Sequence, residues 1–159
     1  MELKFETKMT VNILYDYMLH HTYNSFSGIF GSAVGALMVV TFFITGKFLC
    51  LVAGVIILLY LPFSLFTSSV KQLQSTPTFQ KPLTYKLSEE GIEVSQDEQS
   101  QLQKWEDIYK AISTPKSIII YNTKVNAWIF PRKDMGEATA KVIEMISTHM
   151  APDKVKIRW

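Results

Sequence analysis

Two long stretches without charge, separated by two residues, constrain this chain of 159 residues more than any other feature. The first covers residues 28–45 and the second covers residues 48–70, and Lys47 is the one charged residue among them. As a helix, the first stretch extends about 27 Å, close to the ~30 Å hydrocarbon thickness of a bilayer. The sequence therefore predicts a transmembrane helical hairpin over 28–70, because so short a link makes the two helices antiparallel neighbours.

The rest of the chain has the composition of a soluble protein, because it holds 29 of the 30 charged residues. The net charge of +2 is too small to suggest nucleic-acid binding. Cys50 is the single cysteine, which rules out an internal disulfide framework. The sequence contains no GxGxxG, P-loop, HExxH or GxSxG motif, and His20, His21 and His149 do not suggest a shared metal site. We expect no enzyme activity, no cofactor and no nucleic-acid partner.

The distribution of lysines predicts how the hairpin is oriented. The link between the two helices offers only Lys47, whereas Lys71, Lys81 and Lys86 follow the second helix. Cytoplasmic segments carry an excess of basic residues. We therefore expect a multi-pass protein of the cell membrane with both termini in the cytoplasm.

The segments that flank the hairpin have clear periodic patterns. Alternation predicts a strand over Leu3–Thr7, and helical spacing predicts a helix from Val11 to Tyr23 with Thr10 as its N-cap. These two elements make an N-terminal segment of residues 1–27. A linker is expected over residues 71–81 and a soluble domain over residues 82–159.

The soluble domain reads as six short strands followed by a helix, which predicts an antiparallel β-barrel or sandwich with a C-terminal amphipathic helix. The helix is expected from Met135 to Met150 with Asp134 as its N-cap, and the tail alternates again up to Trp159. The fold class is thus an α+β membrane protein. Because a lone strand cannot satisfy its backbone groups or bury one face, we expect Leu3–Thr7 to pair with a strand after residue 82. The alternative is a frayed terminus that lies at the lipid headgroups.

Two groups of residues are candidate contact sites. Gly31 and Gly35 form a GxxxG pattern, which indicates either a homo-oligomer or packing against the second helix. The second interpretation is favoured because that helix is already tethered. Seven basic residues are candidates for contact with anionic lipid headgroups, or else form a solvated face: Lys71, Lys81, Arg132, Lys133, Lys154, Lys156 and Arg158.

Three motifs carry a resemblance to a known family. They are the run from Tyr85 to Val94 (YKLSEEGIEV), the turn from Lys104 to Ile108 (KWEDI), and the run from Ala127 to Met135 (AWIFPRKDM). Together with the order of elements, they resemble YcxB-like bacterial proteins. The resemblance implies a small membrane-anchored protein whose soluble domain is similar to bacterial pleckstrin-homology (PH) domains. It implies no catalytic residues, and Trp105 is expected to be a packing residue.

Two functional hypotheses follow. The first is a non-enzymatic binding or scaffold module that presents its soluble domain at the inner leaflet to a lipid or to an unknown protein partner. The alternative is a membrane immunity or stress-protection protein that acts against a toxin.

Overall fold

The computed structural model describes residues 2–158 and is a mixed α+β protein with two long apolar helices and two four-stranded sheets. The predicted alternation of the tail therefore reaches one residue, Trp159, that lies outside the described part. In chain order the elements are β1 (Leu3–Thr7), α1 (Val11–Tyr23), α2 (Phe26–Thr45), α3 (Phe48–Ser75), α4 (Pro77–Gln80), β2 (Leu83–Leu87), β3 (Gly91–Gln96), β4 (Gln99–Lys104), β5 (Lys110–Ser113), β6 (Ser117–Tyr121), β7 (Ala127–Pro131), α5 (Arg132–Met135), α6 (Thr139–His149) and β8 (Val155–Lys156).

The strands form two separate sheets rather than the closed barrel that was one of the expectations. Sheet A has the order β1-β2-β3-β4, and sheet B has the order β7-β6-β5-β8. All neighbouring strands are antiparallel except β8, which runs parallel to β5 with Val155 opposite Ala111. The expectation of an antiparallel body is wrong at this edge, because the chain crosses the body through α6 before it returns as β8.

Strand β1 completes sheet A, which confirms the predicted pairing of the N-terminal strand with a strand after residue 82. It runs antiparallel to β2, with Leu3 opposite Leu87 and Thr7 opposite Leu83. The pairing buries the ring of Phe5, whose centroid lies 5.6 Å from that of Tyr85 and 5.1 Å from that of Phe130. The apolar hairpin therefore interrupts a single packed unit.

The helices before and inside the hairpin follow their sequence patterns. Helix α1 has the predicted bounds, and the hydroxyl oxygen of Thr10 accepts a hydrogen bond from the backbone N–H of Ile13 at 3.4 Å. Helix α2 is capped by Gly46, which follows its last residue and has a left-handed conformation with a φ of 69°. Such a conformation at a helix end is typical of glycine.

Two boundaries differ from the sequence expectation. The segment 71–81 is largely helical, because α3 continues to Ser75 and α4 follows it. Leu73 and Phe79 from this segment pack against the apolar side chains of α1, which favours the helical conformation. The C-terminal helix is broken at Gly136, whose φ is 53°, so Asp134 lies inside the short helix α5 and does not cap α6.

Helix α1 covers the outer face of sheet B over β6 and β7. Every residue of β6 is buried, because Ile118 and Ile120 face the main core while the alternate residues face α1. Met9 and Leu14 pack against Ile129 of β7 on this outer face.

The same helix also contacts the apolar hairpin. The ring of Tyr15 meets the ring of Phe66 in α3 edge to face, with centroids 5.6 Å apart. Helices α2 and α3 pack closely at Gly35 and Gly54. A Cβ atom added at Gly54 would lie 2.8 Å from the carbonyl oxygen of Gly35.

Trp105 is a buried packing residue, as predicted, and it joins three elements. It lies in the 3-10 turn between β4 and β5, and its indole N–H donates to the carbonyl of Ser88 at 2.9 Å. The indole stacks on the ring of His149 at the end of α6, with centroids 5.2 Å apart. The Nε2 atom of His149 lies 2.8 Å from a carboxylate oxygen of Glu89.

We expect Phe5→Ala to destabilise the whole body by about 3–5 kcal/mol, because it removes a buried ring from the contact between the two sheets. The change is measured as the free energy of unfolding of the full chain in detergent, followed by tryptophan fluorescence. Phe63→Ala is the matched control, because the side chain of Phe63 is 69% exposed. Equal effects of the two substitutions would contradict a structural role for β1.

We expect His149 to make stability depend on pH. Its hydrogen bond to the Met145 carbonyl and its contact with Glu89 raise the pKa of the imidazole above the ordinary value. The protonated form of His149 therefore stabilises the folded state. This contribution to the free energy of unfolding is complete below the unfolded-state pKa of about 6.5. It is lost as the pH rises through the higher folded-state pKa.

The measurement compares wild type with His149→Gln in unfolding experiments between about pH 5 and pH 9. The stability difference between the two proteins should shrink as the pH rises. Burial lowers the pKa of His20, which acts in the opposite direction, but both proteins retain His20 and the difference isolates His149. A stability difference that does not change with pH would rule out this coupling.

Candidate functional site

A cavity of about 790 Å³ opens on the outer face of sheet B, beside the region that α1 covers. Ile112 on its floor lies opposite Ile119 of β6 and Lys156 of β8, which places all three on the same face of the sheet. The full lining is His20, Asn24, Ile112, Ser113, Thr114, Pro115, Arg132, Lys156 and Arg158. We call this cavity the basic pocket, because three of its residues carry permanent positive charge.

Backbone pairing brings the tail of the chain to the basic pocket. Strand β8 lies along β5, and the backbone N–H of Arg158 donates to the hydroxyl of Ser113 at 2.8 Å. The guanidinium of Arg132 donates to the carbonyl of Arg158 at 2.7 Å, which holds the end of the described tail against the start of α5. The backbone N–H of Arg132 donates a hydrogen bond to the carbonyl of Lys116 at 2.9 Å.

The turn after β5 connects the basic pocket to α1. The hydroxyl of Thr114 accepts a hydrogen bond from the backbone N–H of Ser117 at 3.0 Å. It donates to the carboxylate of Asp16 in α1 at 2.6 Å. Thr114 is buried, so this contact fixes α1 to one wall of the pocket.

The charged residues that line the basic pocket are all positive. Its lining contains Arg132, Lys156 and Arg158 but no carboxylate. Burial lowers the pKa of His20, while Asp16 opposes this shift and Lys110 and His21 add to it. His20 is therefore neutral at neutral pH, and the lining carries three positive charges there.

The pocket lies beside the start of the first apolar helix. Asn24 lines the cavity, Ser25 caps α2 through its hydroxyl, and α2 begins at Phe26. The side chain of Phe26 is 84% exposed. The basic pocket and the apolar surface of α2 are thus separated by one or two residues along the chain.

The structure brings together three of the seven basic residues that the sequence suggested, namely Arg132, Lys156 and Arg158. Lys154 points elsewhere and donates to the carbonyls of Glu106 and Ile108 at 3.3 Å and 3.0 Å. Lys81 forms an ion pair with Asp97 at 2.5 Å. The remaining two, Lys71 in α3 and Lys133 in α5, are exposed and do not line the pocket.

The two glycines of the GxxxG pattern have different surroundings. A Cβ atom at Gly35 would meet Leu58 of α3 at 2.8 Å, so this glycine lies in the contact between the two apolar helices. A Cβ atom at Gly31 would meet nothing within 4 Å. The spacing alone could not distinguish these two environments.

Sequence reasoning did not find the contribution of α1 to the site. Asp16 and His20 lie in α1 and Asn24 caps its C-terminal end, and their spacing of four residues is a helical-face signal in the sequence. The ring of His21, also in α1, lies 3.2 Å from the hydroxyl of Tyr121 at the end of β6.

The fold and the pocket define a class of small α+β proteins in which an apolar helical hairpin interrupts a two-sheet body. Residues 87–146 of the chain match the model of the family described as YcxB-like protein, which confirms the resemblance over that range. No curated protein and no solved structure matches the chain. The match includes the walls of the pocket from Ile112 to Arg132, whereas His20, Lys156 and Arg158 lie outside it.

We expect Thr114→Val to cost about 1–3 kcal/mol in the free energy of unfolding, because it removes the hydroxyl that joins α1 to the turn after β5 and leaves Asp16 without this donor. Thr148→Val is the matched control, since the hydroxyl of Thr148 is exposed and bonds only within its own helix. Chemical denaturation of both full-length variants provides the comparison. A Thr114 variant as stable as the Thr148 variant would show that the contact does not hold α1 in place.

Proposed function

We propose that this chain is a membrane-anchored, non-enzymatic binding module. In this proposal α2 and α3 cross the cell membrane as a hairpin, and the two-sheet body is held at the cytoplasmic leaflet, where it binds a lipid or a protein partner. The body is a PH-like domain, in which two sheets are packed together and a C-terminal helix covers the core.

The surface of the two apolar helices supports insertion in a membrane. They have 20 and 28 residues, and their most apolar segments have mean hydropathies of 2.0 and 2.6. Large apolar side chains are exposed along both helices, including Phe43 at 77% and Leu49 at 78%. A soluble protein rarely exposes so continuous an apolar surface, whereas a lipid-facing helix does.

The charges at the two ends of the hairpin support its orientation. Lys47 is the single charge in the link, whereas the other end continues into the lysine-bearing body. Strand β1 and strand β2 are paired, so both connections to the hairpin lie on one side. The positive-inside rule supports a cytoplasmic location for that side.

The contacts of α1 are the observation that carries the proposal. Helix α1 packs on sheet B through Leu14 and on α3 through Tyr15. A flexible tether would leave the body free to leave the surface, but a helix packed on both parts holds one face of the body beside the hairpin. That arrangement is suited to recognition at a membrane surface.

The chemistry of the basic pocket suits the binding of an anion. Its lining offers cations and hydroxyl groups and contains no carboxylate. Such a lining attracts and orients an anionic group.

We expect a cysteine at position 47 to react with an impermeant thiol reagent in intact cells, and a cysteine at position 124 to react only after the cells are permeabilised. The two variants are Lys47→Cys and Lys124→Cys, each in a chain whose native cysteine is removed by Cys50→Ser. Lys124 lies in the exposed turn between β6 and β7, so its position reports the location of the body. The cysteine-free chain is the control for background labelling. Labelling of position 124 in intact cells would overturn the proposed orientation.

A further inference from the structure

The cations of the basic pocket form no ion pair with a carboxylate in the part of the chain that the structure describes. Within residues 2–158, the side chains of Lys156 and Arg158 form no hydrogen bond and no ion pair with another protein group. The guanidinium of Arg132 donates one N–H to the carbonyl of Arg158, and its other N–H groups remain available to a ligand. Three like charges beside one cavity repel each other, and an anion between them would remove that cost.

The donors of the pocket suit a phosphate group. A guanidinium presents its N–H groups in a planar fork that matches phosphate oxygens, and a lysine adds a mobile positive charge. The carboxylate of Asp16 accepts a hydrogen bond from the Thr114 hydroxyl and opposes the lowering of the His20 pKa. It is not part of the lining, so it weakens the positive potential without blocking the cavity.

The position of the pocket suggests where the phosphate comes from. Asn24 lines the cavity two residues before α2 begins, and α2 is the first membrane helix in the proposed function. Lipid phosphates lie at the level where a membrane helix leaves the hydrocarbon region. A lipid beside α2 would therefore present its headgroup at the opening of the pocket while its acyl chains contact exposed side chains such as Phe30.

We infer that the basic pocket is a phosphate site that holds the headgroup of an anionic phospholipid from the same leaflet. This inference rests on the proposed function for the source of the ligand, because only an inserted chain meets such a lipid. Arg132 binds the phosphate through its guanidinium N–H groups. Lys156 and Arg158 balance the net negative charge that distinguishes anionic from zwitterionic lipids. The lipid would then connect the body to the bilayer in addition to α1.

The test uses the purified full-length chain in a neutral detergent. The chain is titrated with phosphatidylglycerol or with phosphatidylcholine of the same acyl composition, and the shift of the thermal unfolding midpoint is recorded. We expect a saturable stabilisation by phosphatidylglycerol and an apparent affinity at least tenfold lower in the double variant K156Q/R158Q. This fold-change follows from a contribution of about 1 kcal/mol for each basic residue near an anionic surface.

The matched control is K124Q/K141Q, which removes the same charge from exposed lysines outside the pocket and should bind like wild type. Arg132→Lys is a second variant, which keeps the charge but loses the planar fork, and it should bind more weakly than wild type. If K156Q/R158Q does not fold, K156Q and R158Q are titrated singly, and each should weaken binding.

Three results would overturn the inference. The first is equal stabilisation by the two lipids, and the second is unchanged affinity in the pocket variants. The third is equally tight binding of glycerol 1-phosphate or inorganic phosphate in the same assay, which would assign the site to a free anion. None of these results affects the cysteine labelling, so failure of the phosphate site and failure of the membrane topology are distinguishable.

Discussion

The packing of α1 between sheet B and α3 is the contact on which the rest of the molecule depends. Strand β6 is buried on both faces of sheet B, so one face is covered by something other than the main core. Leu14 of α1 and Met9, which precedes the helix, provide that cover, and Tyr15 on α1 faces Phe66 of α3. Burial of a single leucine contributes about 1.5–3 kcal/mol to stability. The hydrogen bonds of Asp16 and His21 fix the orientation of α1 on the sheet.

The position of the hairpin within the chain has a consequence for the body. Strand β1 precedes the hairpin and β2 follows it. Sheet A is therefore complete only when the hairpin brings β2 back beside β1. The close contact at Gly35 and Gly54 brings α2 and α3 together along their length. The hairpin therefore brings two distant parts of one sheet together, and Phe5 completes a ring cluster with Tyr85 and Phe130.

The basic pocket is a by-product of the same arrangement. Helix α1 covers only the β6 and β7 half of the outer face of sheet B, and the β5 and β8 half is left open. The tail fills the edge with a short parallel strand and directs Lys156 and Arg158 toward the open half. In consequence, residues separated by more than 130 positions in sequence line one cavity beside the membrane helices of the proposed function.

Local patterns in the sequence were sufficient for most elements. The alternation of Leu3–Thr7, the cap at Thr10, the helical spacing of α1 and the uncharged stretch of α2 predicted those elements, because each depends on residues that are close in sequence. The sequence also identified the basic residues of the tail. It failed where a single backbone angle or a distant partner decided the outcome. Gly136 broke the last helix, and contacts of Leu73 and Phe79 made the expected linker helical. Only the tertiary structure decided which basic residues meet, because pairing of β8 with β5 and docking of α1 are long-range contacts without a local signal.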